Sequence, residues 1–349
     1  MNNNILEIMK IERMADRFIK SPYKINNIHE ADAELIDLGG NSDSYLALTT
    51  DALVEELSSG LYDSPFLIGW MLATINFSDL AAVGADPLGL LITVSFPSDQ
   101  SDEFIPKMTD GISDACKEAG SFVLGGDTNE GKTLSLSGCA VGLVPKNSLM
   151  MRNGARKGDK VYLSGAAGLG SVYAFLRLFQ PENKLPESLY LPMARIKEGK
   201  LLRKFATCAM DTSDGVFHTL DTLMRVNRCY FVLHDEWQKM LHPIALEVCR
   251  AQGFPSWLSL ASVHGEFELC FTISPEKEYD FLSEAARMEW HPILIGEVED
   301  GFGVGVQTAE RRVEIDTGMI RNMSETVGSN PDKYFKELLA FARETGIER

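Results

Sequence analysis

Short apolar segments alternate along this sequence with segments of helical periodicity, and Gly, Pro or Asp marks most of the transitions between them. Residues 66–82 carry apolar side chains at helical spacing, and Gly84-Ala85-Asp86-Pro87 then predicts the end of the helix. The apolar run at residues 89–96 (GLLITVSF) predicts a strand directly after it. The other elements predicted in this half are a helix at 104–120 and strands at 45–50, 121–124 and 133–144. Because strands and helices alternate, we expect an α/β or α+β fold here.

A composition change divides the chain. Residues 150–159 (MMRNGARKGD) are basic and contain glycine, and a new apolar segment begins at Val161. We therefore predict two domains, 1–150 and 151–349, which agrees with a length of 349 residues. A helix is also predicted within the first 20 residues. The elements predicted after the boundary are strands at 161–164, 207–210, 230–234, 267–274 and 293–296, and helices at 171–179, 215–224 and 331–345.

The charge balance limits the partners of this chain. Its 33 basic and 50 acidic residues give a net charge of −17. Nucleic-acid binding depends on Lys and Arg at the phosphate backbone, so we expect no nucleic-acid partner. Carboxylates nevertheless bind Mg²⁺, and Mg²⁺ in turn binds phosphate, so a metal–nucleotide ligand is compatible with this composition. The six cysteines form no CxxC pair, and no uninterrupted apolar run reaches membrane-spanning length. We predict a cytoplasmic protein without a membrane partner.

Four acidic motifs stand at predicted strand or helix ends, each beside Ser, Thr, Asn or Gly. They are Thr49-Thr50-Asp51, Asn76-Phe77-Ser78-Asp79, Gly125-Gly126-Asp127-Thr128 and Asp211-Thr212-Ser213-Asp214-Gly215. Hard oxygen ligands of this kind suit Mg²⁺ bound to substrate phosphates. Asp211 and Asp214 are three residues apart where a strand gives way to a helix, so both can face one ion. For any single motif, helix capping or turn formation is the alternative interpretation.

Two glycine-rich segments and two arginines are candidates for phosphate binding. Residues 165–170 (GAAGLG) follow a strand and open a helix, which suits an anion but equally suits tight helix–sheet packing. Gly125 and Gly126 combine accessible backbone N–H groups with the neighbouring carboxylate of Asp127. Arg152 and Arg156 are positive charges that can meet phosphate, or that belong to a solvated linker. The sequence contains neither HExxH nor GxSxG, so metalloprotease and serine-hydrolase chemistry is not indicated.

Six sequence blocks occur in one order over roughly residues 30–275: TTDALVEE, GWMLATINFSDLAAVGADP, LGGDTNEG, RNGARKGDKVYLSGAAGLG, AMDTSDG and HGEFELCFT. In these blocks the sequence resembles the aminoimidazole ribonucleotide synthetase (PurM-like) superfamily, and within it most resembles the thiamine-monophosphate kinase family. The resemblance implies a two-domain PurM-like fold. Its N-terminal α/β domain would form a barrel with the same domain of a second copy in a homodimer, and its C-terminal domain would be α+β.

The resemblance also implies an activity, namely Mg²⁺-assisted in-line transfer of a phosphoryl group from ATP to thiamine monophosphate, giving thiamine diphosphate. The implied partners are ATP and a small phosphorylated acceptor. The implied metal ligands are Asp32, Asp51, Asp79, Asp127, Asp211 and Asp214, of which Asp211 and Asp214 would be catalytic. The residues implied near the nucleotide phosphates are Thr50, Gly125, Gly126, Arg152 and Ser213.

Three blocks depart from the pattern of that family. Ala31 stands beside Asp32 where the family usually has a second aspartate. Residues 55–59 (EELSS) replace EGVHF, so that Glu56 stands in place of a glycine and Ser58 in place of a histidine. Glu266 and Phe267 replace the Asp and Tyr of a GEDYEL block, and we predict that these two residues contact the substrate. Two alternatives stay open, a related ATP-dependent enzyme with another small-molecule substrate and a non-catalytic nucleotide-binding dimer.

Overall fold

The computed structural model describes residues 5–327 and 330–347, and its strands form two sheets. The elements of the first half are α1 (Leu6–Ala15), β1 (Glu34–Ile36), β2 (Ser44–Leu53), α2 (Glu55–Ser58), α3 (Pro65–Ala82), β3 (Asp86–Pro97), α4 (Phe104–Glu118), β4 (Val123–Gly131) and β5 (Ser135–Pro145). The first sheet has the order β1-β2-β5-β3-β4. Only its β3–β4 pair is parallel.

Helix α3 forms the centre of the first half. Ser64 caps its N-terminus by accepting a hydrogen bond from the N–H of Leu67, and Pro65 occupies the first turn. Apolar residues lie around its whole circumference, with the polar residues Asn76, Ser78 and Asp79 near its C-terminal end, which is typical of a helix with protein on every side. By length and composition α3 is able to cross a membrane, but 78% of that stretch is buried within the protein. It is therefore a core helix, packed on the first sheet, α4, α6 and β7.

Two glycines set the distance between α3 and α4. A Cβ atom at Gly69 of α3 would lie 1.9 Å from the carbonyl oxygen of Met108 in α4. A Cβ atom at Gly111 of α4 would lie 2.0 Å from the carbonyl oxygen of Phe66 in α3. Because each glycine faces the backbone of the other helix, the two helices cross in direct backbone contact, which no larger side chain permits.

The second half builds a larger sheet. Its elements are β6 (Lys160–Leu163), α5 (Leu169–Phe179), α6 (Ile196–Leu202), β7 (Ala206–Asp211), α7 (Val216–Asn227), β8 (Tyr230–His234), α8 (Trp237–Met240), α9 (Pro243–Gln252), β9 (Leu269–Ile273), α10 (Pro275–Arg287), β10 (Ile293–Glu299), β11 (Gly303–Gln307), β12 (Arg312–Ile315), α11 (Thr317–Val327) and α12 (Pro331–Thr345). The strand order is β12-β11-β8-β10-β6-β9-β7, with only β8 and β11 parallel. Strand β7 is thus an edge strand, and it packs against α3.

Helix α1 packs on the second half of the chain although it precedes the first sheet. The N–H of Leu6 donates a 2.9 Å hydrogen bond to Oδ1 of Asn322 in α11. Lys10 pairs with Glu325 of the same helix at 2.6 Å. The two sheets lie on either side of the proposed boundary near residue 150, but α1 packs on the half of the chain that contains the second sheet.

The mixed α/β architecture is confirmed, with corrections to particular elements. Strand β2 continues through Asp51, which was predicted to lie just beyond its end. Strand β4 runs through Gly125, Gly126 and Asp127, whereas the strand predicted here covered only residues 121–124. Strands β11 and β12 and helices α9, α10 and α11 were not predicted, since their apolar patterns are short or interrupted by charge. The predicted N-terminal helix is confirmed for Leu6–Ala15, and residues 1–4 lie outside the described residues.

Candidate functional site

Three carboxylates from both halves of the chain converge at the junction of the sheets. Asp32 precedes β1, Asp79 lies in the last turn of α3, and Asp211 ends β7. One oxygen of each lies within 4.8 Å of the others. Since α3 packs directly on β7, the last turn of the helix and the end of the strand bring two of these acids together. We call Asp32, Asp79 and Asp211 the acidic triad.

Each member of the acidic triad is held by a donor from another element. Ser78 of α3 donates a 2.6 Å hydrogen bond to Oδ2 of Asp211. The hydroxyl of Thr49 in β2 donates to Oδ2 of Asp79. The Nη2 of Arg152, from the segment between the sheets, donates at 2.8 Å to Oδ1 of Asp32. These bonds fix the direction of the carboxylates before any ligand binds.

The electrostatics of the triad favour a bound cation. Burial and the neighbouring charges of Asp211 and Asp32 raise the pKa of Asp79 well above its usual range. Burial, followed by the charge of Asp32, raises the pKa of Asp211 to about 7. The second oxygen of Asp32 is buried and has no hydrogen-bond partner among the described residues. A hard divalent cation would compensate this repulsion and use the free lone pairs, so the donor set fits Mg²⁺.

Further predicted residues line the same cleft, a cavity of about 1300 Å³ that also contains the triad. Thr50 and Asp51 reach it from β2, and Ser213 and Asp214 from the turn after β7. Burial raises the pKa of Asp51 to about 6, and the charge of Asp214 adds to this effect. Arg152 also lines the cavity. Eight of the predicted site residues are therefore brought together, namely Asp32, Thr50, Asp51, Asp79, Arg152, Asp211, Ser213 and Asp214.

The turn between β7 and α7 argues against the capping interpretation of its acids. The N-cap residue of α7 is Gly215, and in the part of the chain that the structure describes no side chain caps this helix terminus. The backbone carbonyl of Asp211 accepts a 2.8 Å hydrogen bond from the hydroxyl of Thr219, so the helix anchors the aspartate from behind. The carboxylate of Asp211 is left to the acidic triad and Ser78.

Asp214 belongs to a cluster of charged side chains with His218, Glu7 and Arg321, which the sequence analysis did not predict. His218 Nδ1 lies 3.1 Å from Asp214 Oδ2, and His218 Nε2 lies 3.7 Å from Glu7 Oε2. Burial favours the neutral ring, but the charge of Asp214 and its hydrogen bond raise the pKa of His218 to about 9. Burial likewise opposes ionisation of Asp214, and the charge and hydrogen bond of His218 outweigh it and lower its pKa. Arg321 of α11 pairs with Glu7 at 3.1 Å.

Comparison with known proteins decides the family. Residues 30–144 match the family described as "AIR synthase related protein, N-terminal domain". The thiamine-monophosphate kinase of Pyrococcus horikoshii is 30% identical over 272 residues, covering 77% of this chain and 84% of that protein. The chain belongs to the thiamine-monophosphate kinase family. It is accordingly an ATP-dependent kinase with a PurM-like fold of two sheets.

Solved structures of this family agree with the assignment. The structure of AaThiL complexed with AMPPCP and TMP is 25% identical and has a TM-score of 0.72, covering 87% of this chain and 94% of that chain. The thiamine-monophosphate kinase from Stenotrophomonas maltophilia is 26% identical, with a TM-score of 0.67 over 88% of this chain and 97% of that chain. The match therefore spans both sheets and the cleft between them.

Gly125 and Gly126, which the family resemblance implied near the phosphates, and Asp127, which it implied as a metal ligand, lie away from the acidic triad of their own chain. Gly125, Gly126 and Asp127 belong to β4, the outer edge of the first sheet, and every residue of this strand is exposed. Asp127 is aligned with Thr93 of β3, and through β5 with Ala52 of β2. Three strand spacings separate it from β2, or roughly 14 Å. Within one chain, Asp127 is therefore too far away to share an ion with the triad.

Glu266 and Phe267, predicted to contact the substrate, are not among the residues that line the cleft. Both are buried, with 7% and 5% exposure. Oε1 of Glu266 accepts a 2.8 Å hydrogen bond from the N–H of Gly170 at the start of α5. Phe267 has a φ of 61°, which a non-glycine residue adopts only in a constrained turn. These contacts are structural, and the geometry gives no support to the predicted substrate contact.

Proposed function

We propose that this protein transfers a phosphoryl group from ATP to thiamine monophosphate and forms thiamine diphosphate. The observation that carries the proposal is the convergence of Asp32, Asp79 and Asp211 at the junction of the two sheets, in a chain of this family. Asp51 and Asp214 line the same cavity, so five aspartates surround one space in a protein that acts on anions. A carboxylate-lined cleft suits a polyphosphate only when cations lie between the two.

The acidic triad, with Asp51 and Asp214, would hold Mg²⁺. When bound, Mg²⁺ neutralises the phosphate oxygens and the charge that develops on them during in-line transfer. The contribution of the chain itself is to position both reactants, because phosphoryl transfer needs no protein nucleophile. Arg152, Thr50 and Ser213 would contact the ATP phosphates from opposite walls of the cleft. The bond of Arg152 to Asp32 keeps its guanidinium directed at the cleft before ATP enters.

We further propose that the protein acts as a homodimer and that Asp127 reaches the triad of the second copy. Strand β4 and the residue before it expose Phe122, Val123 and Leu124 by 71%, 43% and 54%. An exposed apolar edge strand is a ready surface for pairing with another chain. Pairing at this edge would extend the first sheet into the barrel that the family resemblance implies. In such a dimer, Gly125, Gly126 and Asp127 of one copy would lie at the acidic cleft of the second copy.

The function is tested by incubating the protein with ATP and Mg²⁺, with and without thiamine monophosphate, and measuring ADP and thiamine diphosphate. We expect ADP release that depends on the acceptor and equals the diphosphate formed. Asp211→Asn should abolish both signals, whereas Asp102→Asn, at an exposed loop position, should change neither. ATP consumption with another phosphorylated acceptor alone would indicate a different substrate. ATP-analogue binding without turnover on a panel of acceptors would indicate a nucleotide-binding dimer.

The cytoplasmic location expected from the sequence remains a prediction. All six cysteines are free thiols, and five of them are buried.

A further inference from the structure

A second cavity of about 710 Å³ adjoins the acidic cleft and differs from it in chemistry. The two share Glu7, Asp214, His218 and Arg321, so the second cavity opens directly beside the proposed phosphate site. Aromatic side chains from α5, α12 and the loop after α9 form one part of its wall. We call it the aromatic cavity.

The aromatic wall is an assembled cluster. The ring centroids of Phe175 and Phe335 are 4.9 Å apart, and those of Phe175 and Phe254 are 5.3 Å apart. Phe179 extends the cluster at 5.3 Å from Phe335. Ring edges and faces at these distances form a rigid apolar surface suited to stacking of a flat ring. An apolar surface of this kind offers a phosphate group no partner. It therefore suits a part of the acceptor that is remote from the phosphate.

Glu56 of α2 lines the same cavity and has no partner on one oxygen. Its Oε2 is buried and makes no hydrogen bond within the described part of the chain. The acids Glu55, Asp51 and Asp214 add to its electrostatic surroundings, and together with burial, which is the larger effect, they raise the pKa of Glu56 to about 7. Among the residues that the structure describes, no cation pairs with this carboxylate.

The cations near the aromatic cavity are already paired with other acids. His218 faces Asp214 and Glu7, and Arg321 faces Glu7 and Asp221 at 3.1 and 3.2 Å. Leaving a buried carboxylate oxygen without a donor or countercharge is costly, so a ligand that supplies one gains that energy on binding. Positive charge beside aromatic faces also gains from cation–π attraction.

We propose that the aromatic cavity binds a flat, positively charged nitrogen heteroaromatic group of the acceptor, with Glu56 as the countercharge that determines specificity. This inference rests on the proposed function, because the cavity adjoins the site assigned to phosphoryl transfer. Glu56 stands where the family resemblance places a glycine, so this contact is a property of this chain. The ring stacks on the cluster of Phe175, Phe254 and Phe335, and its phosphate points past Asp214 toward the acidic triad.

The test uses unphosphorylated thiamine, which carries the cationic ring without the phosphate, and its 3-deaza analogue, in which the ring is neutral. Isothermal titration of the full-length protein with each compound measures the charge preference. We expect the wild type to bind thiamine about tenfold more tightly than the analogue, equivalent to about 1.4 kcal/mol. Glu56→Gln should lose this preference, bind the neutral analogue as the wild type does, and bind a non-hydrolysable ATP analogue unchanged.

The matched control is Glu103→Gln, an acid of the first half that is 86% exposed and should keep the wild-type preference. With thiamine monophosphate as substrate, Glu56→Gln should raise KM about tenfold and change kcat by less than about threefold, because the contact is remote from the transferred group. Equal binding of thiamine by the wild type and Glu56→Gln, or no preference for the charged ring in the wild type, overturns the inference. A wild type that prefers the charged ring but does not turn over thiamine monophosphate refutes the proposed function alone.

Discussion

The hydroxyl of Ser78 in α3 donates a 2.6 Å hydrogen bond to Asp211 at the end of β7, and so joins the two halves of the molecule at the acidic triad. Ser78 is completely buried, and Asp211 is 2% exposed. Burial and the charge of Asp32 act to keep Asp211 protonated, whereas this bond stabilises its charged form. One serine thus contributes both to the contact between the domains and to the readiness of the carboxylate for a cation.

Replacing Ser78 by Ala should weaken cation binding and leave the fold intact. A hydrogen bond to a charged group contributes about 1.5–3 kcal/mol, so we expect the Mg²⁺ concentration for half-maximal activity to rise about tenfold or more. The stabilisation of the thermal midpoint by Mg²⁺, measured without ATP, should shift to higher concentration in parallel. Ser283→Ala on the outer helix α10 is the control. An unchanged Mg²⁺ dependence in Ser78→Ala would show that this bond serves only to hold the domains together.

Substitutions of Asp211 and Asp214, at the end of β7 and in the turn after it, distinguish metal binding from helix capping. Because no side chain of the described residues caps α7, Asp211→Asn should leave the thermal midpoint nearly unchanged. Asp214→Asn should lower it, because the protonated ring of His218 then loses its charged partner. Activity should fall by about 100-fold or more, the scale of losing one charge-stabilising group at a reacting centre. Asp211 should be the more sensitive, because the sheet fixes its backbone and Asp214 is half-exposed. Retained turnover with a clear loss of thermal stability in both variants would restore the capping interpretation.

Much of the cleft could be predicted from the sequence because its acids follow strongly patterned elements. The sequence patterns of α3 and of the strand that ends at Asp211 predict these elements clearly. An aspartate at the end of such an element contributes little to its packing, so a functional role is favoured. The sequence could not show which acids converge, since that depends on α3 packing against β7. The pairing of His218 with Glu7 likewise joins α7 to α1, and no local pattern predicts a contact between elements so far apart in sequence.

One strand was predicted too short because its composition is unusual for a strand. Glycines are depleted in strands, so the strand predicted at residues 121–124 ended before Gly125 and Gly126. Their strand is an exposed edge with close backbone contact to β3, where an added Cβ at Gly126 would lie 2.0 Å from the carbonyl oxygen of Ile92. Glu266 was assigned to the substrate because it departs from a family block. The structure shows it buried and bonded to the start of α5, and its contact with the substrate stays a prediction.

Mixing two inactive variants tests whether Asp127 acts on the partner chain. Asp127 is exposed, so Asp127→Asn should fold normally and lose ATP turnover. If each site combines the acidic triad of one copy with Asp127 of the other, a mixed dimer of Asp127→Asn and Asp211→Asn retains one complete site. Random exchange of subunits should then restore about a quarter of the wild-type rate.

Sedimentation of the wild type at micromolar concentration provides the companion measurement, and we expect a dimer. No recovery of activity on mixing, with subunit exchange verified by labelled chains, would place Asp127 outside the site of the partner. A monomer in sedimentation would contradict the proposed barrel directly.

The protonation of Glu266 should make the free energy of unfolding depend on pH. Burial raises its pKa to about 8, with the neighbouring charge of Glu268 adding to this, against the opposing hydrogen bond from Gly170. Its ordinary value is 4.5, so between pH 4.5 and 8 the folded protein binds a proton that the unfolded chain releases. The free energy of unfolding must therefore fall as pH rises through this window. Gln is uncharged at every pH and keeps the oxygen that accepts from Gly170.

Glu266→Gln should consequently match the wild type near pH 4.5 and become progressively more stable than it toward pH 8. The difference at pH 8 should exceed about 1.4 kcal/mol, the equivalent of one pKa unit. Thermal and urea unfolding at several pH values measure it, with Glu284→Gln on α10 as a control that should keep the wild-type slope. The KM for the acceptor should stay unchanged if Glu266 only supports the start of α5. If Glu266→Gln and the wild type show the same pH dependence of stability and the variant has a raised KM, Glu266 contacts the substrate, as the sequence predicted.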